Sequence, residues 1–212
     1  MKALDWQNFF AEQRASHGKV LFSVAELANA ARTTLHALNT ELGRLVQRGL
    51  ISRYAHGQYG PIQGVAPEGL VSQIDPGAYI TGFFALFRHH LVTQVPTEVT
   101  CFTDRRHNRK TNRMTPAGKL RFILVPSAIY AKPTERVLAP AEQALCDFAW
   151  LNLRDGIEPQ SLVTFRNLDS LRRRRLRQIL RRYPKKVQDV VGRISGLAAA
   201  KTSLTGSGTL RC

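Results

Sequence analysis

Thr33, His36, Thr40, Arg44 and Gln47 recur at intervals of three or four residues, and Leu35, Leu38, Leu42, Leu45 and Val46 recur among them with the same period. That pattern predicts one amphipathic helix over about 34–48 with two opposed faces. Gly49 follows as a residue able to adopt the left-handed conformation that ends a helix. The polar face carries hydroxyl, imidazole, guanidinium and carboxamide groups. Such groups donate to and accept from phosphates and base edges in a major groove. Gly43 lies among them and would allow a close backbone approach, and Arg32, in the turn before the helix, and Thr34, at its start, are further candidates for DNA contact. Further on, 50–54 reads as a strand, His56-Gly57 as a turn, and Gln58-Tyr59 as the return before Pro61. Arg53, His56 and Tyr59 on this hairpin are candidates for contact with phosphate or a minor groove.

These residues need elements to hold them. Trp6, Phe9 and Phe10 give a helix over 5–15 one apolar stripe, and His17-Gly18 stops it. Val20-Leu21-Phe22 reads as a short apolar link. Ser23, with Glu26 three residues on, is a capping box that opens a short helix over 24–30. Three helices and then a hairpin, the second helix being short, follow the plan of a winged helix-turn-helix, expected over 1–64. The Gly- and Pro-rich stretch 60–77 reads as a linker.

The whole chain favours an anionic partner. It has 212 residues with 31 Lys+Arg against 15 Asp+Glu, a formal charge of +16, and 43% hydrophobic residues, enough for a packed core. Two basic clusters lie beyond the hairpin. One is Arg105, Arg106, Arg109, Lys110 and Arg113. The other runs from Arg172 to Arg175 and on through Arg177, Arg181, Arg182, Lys185 and Lys186. Arg173, Arg174, Arg177 and Arg181 would face outward from a stripe of Leu168, Leu171, Leu176, Ile179, Leu180 and Tyr183. A solvated face normally mixes signs, so DNA, RNA or an acidic protein is the expected partner there.

Signs of catalysis are sparse. Glu98, Asp104 and Lys119 could be arranged as in a metal-dependent nuclease, but their spacing is loose. His89-His90 reads as the end of an apolar helix, and Glu142 as a first-turn acid sharing a helix with Asp147. No phosphate loop, dinucleotide fingerprint or Gly-x-Ser-x-Gly occurs. Cys101, Cys146 and Cys212 are far apart, and the first two read as ordinary buried thiols. No metal, no cofactor and no enzymatic activity are expected. No stretch approaches the ~20 apolar residues of a spanning helix, and the N-terminus lacks an apolar signal core. No membrane partner is expected, and a cytoplasmic location is.

A second domain is expected over 75–196, with a helix over 79–91, strands over 98–103 and 120–125, and a polar connection over 105–118. Helices are expected over 140–153, 162–183 and 186–194, with a disordered tail over 197–212. The fold class is α+β: an N-terminal winged helix-turn-helix, then a mixed α/β C-terminal domain.

Arg48-Gly49-Leu50-Ile51 and Gly57-Gln58-Tyr59 are followed by the run from Gly77 through Tyr79-Ile80-Thr81-Gly82 to Ala85-Leu86, then by His90-Leu91 and Val95-Pro96-Thr97-Glu98-Val99. Ala139-Pro140-Ala141-Glu142-Gln143-Ala144-Leu145-Cys146-Asp147 completes the order. Across about 20–190 this resembles the AbiEi family of antitoxins, from abortive-infection (type IV) toxin–antitoxin systems. The resemblance implies an N-terminal domain that binds double-stranded DNA, the operator of its own operon, and represses it. It also implies a C-terminal domain that counters a nucleotidyltransferase toxin, either functionally or by direct contact. Two alternatives stay open: a metal-dependent nucleic-acid-cleaving enzyme with a winged helix, and a ligand-responsive transcription factor.

Overall fold

The computed structural model describes residues 3–107 and 111–197. Arg109, Lys110 and the expected tail beyond Leu197, Cys212 included, lie outside the described residues. The fold is mixed α and β with two small sheets.

Helix α1 (Ala3–His17) buries Trp6 and Phe10. Strand β1 (Phe22–Ser23) replaces the expected apolar link. Helix α2 (Val24–Ala31) opens on the anticipated capping box: Glu26 N–H donates to Ser23 Oγ at 3.2 Å, and Ser23 N–H donates to Glu26 Oε2 at 2.8 Å. Arg32, at φ 49, turns the chain out of α2. Thr34 then caps α3 (Leu35–Gln47), accepting from Ala37 N–H. Strands β2 (Ser52–Ala55) and β3 (Gln58–Gly60) form the hairpin, and with β1 a sheet in the order β1-β3-β2.

The stretch that composition reads as a linker holds a helix, α4 (Pro67–Ile74), with Pro67 at its start, where a missing N–H costs nothing. Its Leu70 and Val71 are buried in one cluster with Val20, Leu21 and Tyr54. The Gln73 amide oxygen accepts from the Val20 and Leu21 N–H groups at 3.1 and 2.9 Å. A Gly/Pro count does not register two apolar residues on one helical face.

Strands β4 (Tyr79–Thr81), β5 (Glu98–Thr103), β6 (Asn112–Thr115) and β7 (Gly118–Leu124) build a second sheet in the order β4-β5-β7-β6. The β5–β7 pair is parallel and the others are antiparallel. Neighbouring residues on a strand point to opposite faces. Tyr79, Phe102 and Ile123 enter one core, whereas Ile80, Cys101 and Phe122 enter the other. A sheet covered on both faces gives continuous apolar runs, and these mimic buried helices. The helix expected over 79–91 therefore starts as a strand, and Gly82, at φ +63, turns it into the shorter α5 (Gly82–Arg88). The polar connection over 105–118 contains β6, whose sequence has no apolar alternation.

Helix α6 (Ala141–Arg154) is buried along most of its length. The helix expected over 162–183 is broken into α7 (Pro159–Leu162), a 3-10 turn (Leu168–Ser170) and α8 (Arg173–Leu180). Between them Phe165 bridges to Val92, Arg166 N–H donates to Leu91 O at 2.8 Å, and the Asn167 amide donates to His90 O. These long-range bonds override local helix propensity. Helix α9 (Lys185–Ile194) follows Pro184.

Asp147 of α6 is fully buried and accepts from Thr81 Oγ1 (2.6 Å), Tyr183 Oη (2.6 Å) and Tyr79 Oη (3.3 Å). It thereby ties β4, α6 and the turn after α8 together. Burial pushes its carboxyl from 3.8 to about 7 against the pull of these donors. A raised acid pKa stabilises the fold fully below the unfolded value, and that contribution is lost as pH rises through the folded value. Glu26, Asp75 and Glu98 are shifted downward, so their contributions are lost only as pH falls through their lowered values. Between about pH 4 and 7 the stability of the wild type should therefore carry a declining contribution that Asp147→Asn removes. Urea denaturation across that range measures it; identical pH slopes for the two proteins would contradict it.

Candidate nucleic-acid interface

The rotation of α3 is set from inside. Leu38, Leu42 and Leu45 are buried with Trp6, Phe10, Phe22 and Ile51. The indole N–H of Trp6 donates to Glu41 Oε1 at 2.7 Å, pinning α1 to the flank of α3. His36, Thr40, Arg44 and Gln47 are exposed in consequence, and Thr33 is half-buried. The Thr40 hydroxyl donates back to His36 O at 3.3 Å, leaving its lone pairs to accept. Thr34 is exposed and acts as the cap. Leu35 departs from the expected apolar stripe: it is 54% exposed, because it opens the helix one turn before the packed segment begins. The exposed Asn39 was missed in the sequence because it lies between the two sets of periodic positions.

On the hairpin, exposed Arg53 and His56 meet, with Arg53 Nη2 donating to His56 Nδ1 at 3.0 Å. Tyr59 is not available as a contact. It sits on the central strand opposite Phe22, and its ring is buried in the same cluster as Trp6.

The described members of the first basic cluster do not form one free face. Arg105 and Arg106 are exposed, but Arg113 is half-buried, with its guanidinium 5.7 Å from the centre of the Phe122 ring. Beside it the His107 ring stacks on Phe122 and its Nε2 donates to Asp75 Oδ2 at 2.9 Å. Burial alone would raise the Asp75 carboxyl, but hydrogen bonds from Thr103, His107 and Gly77 N–H hold it low. This Asp75–His107 pair spans 32 residues, and no local spacing announces it. In the second cluster Arg173, Arg174, Arg177 and Arg181 are exposed as expected. Buried Glu142 reaches α8 from α6, accepting from Arg172 N–H at 3.0 Å and lying 3.9 Å from Arg175 Nε.

The carboxylates considered for metal chemistry are not gathered. Glu98 opens β5 and pairs with Lys119 (2.9 Å) and Arg121 (3.1 Å), whereas Asp104 lies beyond the other end of the strand. Six steps of about 3.3 Å along extended chain put Asp104 about 20 Å from Glu98. Among the described residues no group of three or more His, Cys, Asp or Glu could hold a metal ion. Cys101 and Cys146 are buried, and burial raises both thiols. His89 caps α5, with Nε2 2.8 Å from Ala139 O. Among the described residues no helix is long and apolar enough to cross a membrane. No protein-family model matches the chain, and no curated protein matches it.

Glu41→Ala should leave the buried Trp6 N–H without a partner and destabilise the protein by about 1–3 kcal/mol, whereas Glu41→Gln keeps an acceptor and most of the stability. Chemical denaturation reads both; equal midpoints for Glu41→Ala and wild type would contradict the pinning of α3 by this bond.

Proposed function

We propose that residues 1–64 act as a winged helix-turn-helix on double-stranded DNA, with α3 as the recognition helix and β2–β3 as the wing. The reading rests chiefly on one observation: the buried leucines of α3 turn His36, Thr40, Arg44 and Gln47 outward together, just before a hairpin with exposed Arg53 and His56. The formal charge of +16 supports it. The motif order from Tyr79 to Asp147 favours an antitoxin over a general regulator. On this reading the chain is a cytoplasmic autorepressor of a type IV toxin–antitoxin operon. Its C-terminal residues 75–196 counter a nucleotidyltransferase toxin, and it has no catalytic activity of its own. The α8 arginines add sequence-independent backbone contacts.

The DNA upstream of the protein's own gene is the test duplex. Arg44→Ala or Thr40→Ala should weaken binding to it by about 1–3 kcal/mol more than binding to random duplex, if each reads a base edge. Equal losses on both would restrict these side chains to phosphate contacts, and no binding to either duplex would end the reading. The antitoxin half is tested by co-expression with the neighbouring toxin gene, where rescue of growth is expected and continued arrest would refute it.

The arginines have a separate signature. Each phosphate contact contributes about 0.9 to the slope of log affinity against log salt. Replacing Arg173, Arg174 and Arg177 together with Gln should lower that slope by about 2–3 and weaken specific and random duplexes by similar factors. An unchanged slope, read by fluorescence anisotropy at several salt concentrations, would remove α8 from the DNA interface.

A further inference from the structure

We propose that the exposed column Leu35, Asn39 and Gly43 makes the first half of α3 a reader of A·T base pairs in the major groove. The proposal rests on the DNA-binding reading of α3 and names the base pairs that helix would recognise. The three residues stand four apart, so they lie one above another on a single helical face. All three are exposed, while Leu38, Leu42 and Leu45 of the same helix are buried.

Single exposed apolar side chains are common, and Leu35 alone would carry little. Its neighbour gives it meaning. Among the described residues no hydrogen bond engages the Asn39 amide, which leaves both its donor and its acceptor free. An A·T pair presents the adenine N7 acceptor and N6 donor on one side of the major groove and the thymine methyl on the other. A free carboxamide fits that adenine edge with two hydrogen bonds, and an apolar side chain one turn away fits the methyl. A G·C pair offers neither the methyl nor the acceptor–donor pair on its purine.

Gly43 supplies the third observation. A Cβ built there would meet nothing within 4 Å, so packing inside the protein does not require glycine. Glycine within a helix costs stability relative to alanine. Its benefit lies outside the chain: without a side chain at this point, the α3 backbone can approach the floor of the groove and seat Leu35 and Asn39 against the bases. Thr34 caps the helix directly before Leu35, so the first turn is formed before DNA is met.

Selection by the full-length protein from a pool of randomised duplexes tests this. The wild type should enrich A·T pairs at fixed positions. Replacing the enriched thymines by uracil removes only the methyl and should weaken binding by about fourfold per contacted methyl. Leu35→Ala should bind the thymine and uracil duplexes equally. Asn39→Ala should lose about tenfold of the preference for A·T over G·C. Gly43→Ala should raise the melting temperature of the free protein and yet weaken binding to the enriched duplex, two effects that a packing role would not combine. Equal affinity of the wild type for thymine and uracil duplexes, or enrichment of G·C pairs alone, overturns the proposal while leaving DNA binding by α3 standing. Binding without enrichment of any sequence overturns the proposal alone, and failure to bind any duplex overturns both.

Discussion

Burial of Leu38, Leu42 and Leu45 against the aromatic cluster of α1 and β1 is the constraint on which the candidate interface depends. An amphipathic helix can rotate about its axis only by exposing apolar surface, at about 25 cal/mol per Å². Three buried leucines therefore fix which side chains meet solvent. Trp6 adds a directional bond to Glu41, and Thr34 closes the first turn. The outward set of His36, Asn39, Thr40, Arg44 and Gln47 follows from that packing.

The same packing connects α3 to the rest of the chain. Val20, Leu21 and Tyr54 flank the α3 core but are buried with Leu70 and Val71 of α4 and with Ile80, Cys101 and Phe122 of the second sheet. The opposite face of that sheet packs on the core that contains α6 and α9, where Asp147 joins Tyr79, Thr81 and Tyr183. The second sheet is thus shared between two cores, one of which reaches back to the hairpin.

Local chemistry was legible in the sequence. The Ser23–Glu26 capping box, the left-handed Gly49, the hairpin turned at His56-Gly57 and the apolar period of α6 each depend on residues a few positions apart. What escaped depends on distant partners. Tyr79–Thr81 is a strand because Thr100–Phe102 lies beside it. Residues 163–167 leave helical geometry because 90–92 offer bonding partners. Tyr59 turned inward because β1, a strand of two residues, places Phe22 opposite it. At the candidate interface the outward face of α3 was legible almost residue for residue. Leu35 was misassigned because a periodic stripe does not reveal where the opposing core ends.

A photo-crosslinking residue placed at His36, compared with one at the exposed Gln160 of α7, tests most directly whether α3 meets DNA. With duplex carrying the sequence upstream of the protein's own gene, the account predicts crosslinks from position 36 to bases and none from position 160. Crosslinks from 160 with none from 36 would contradict it.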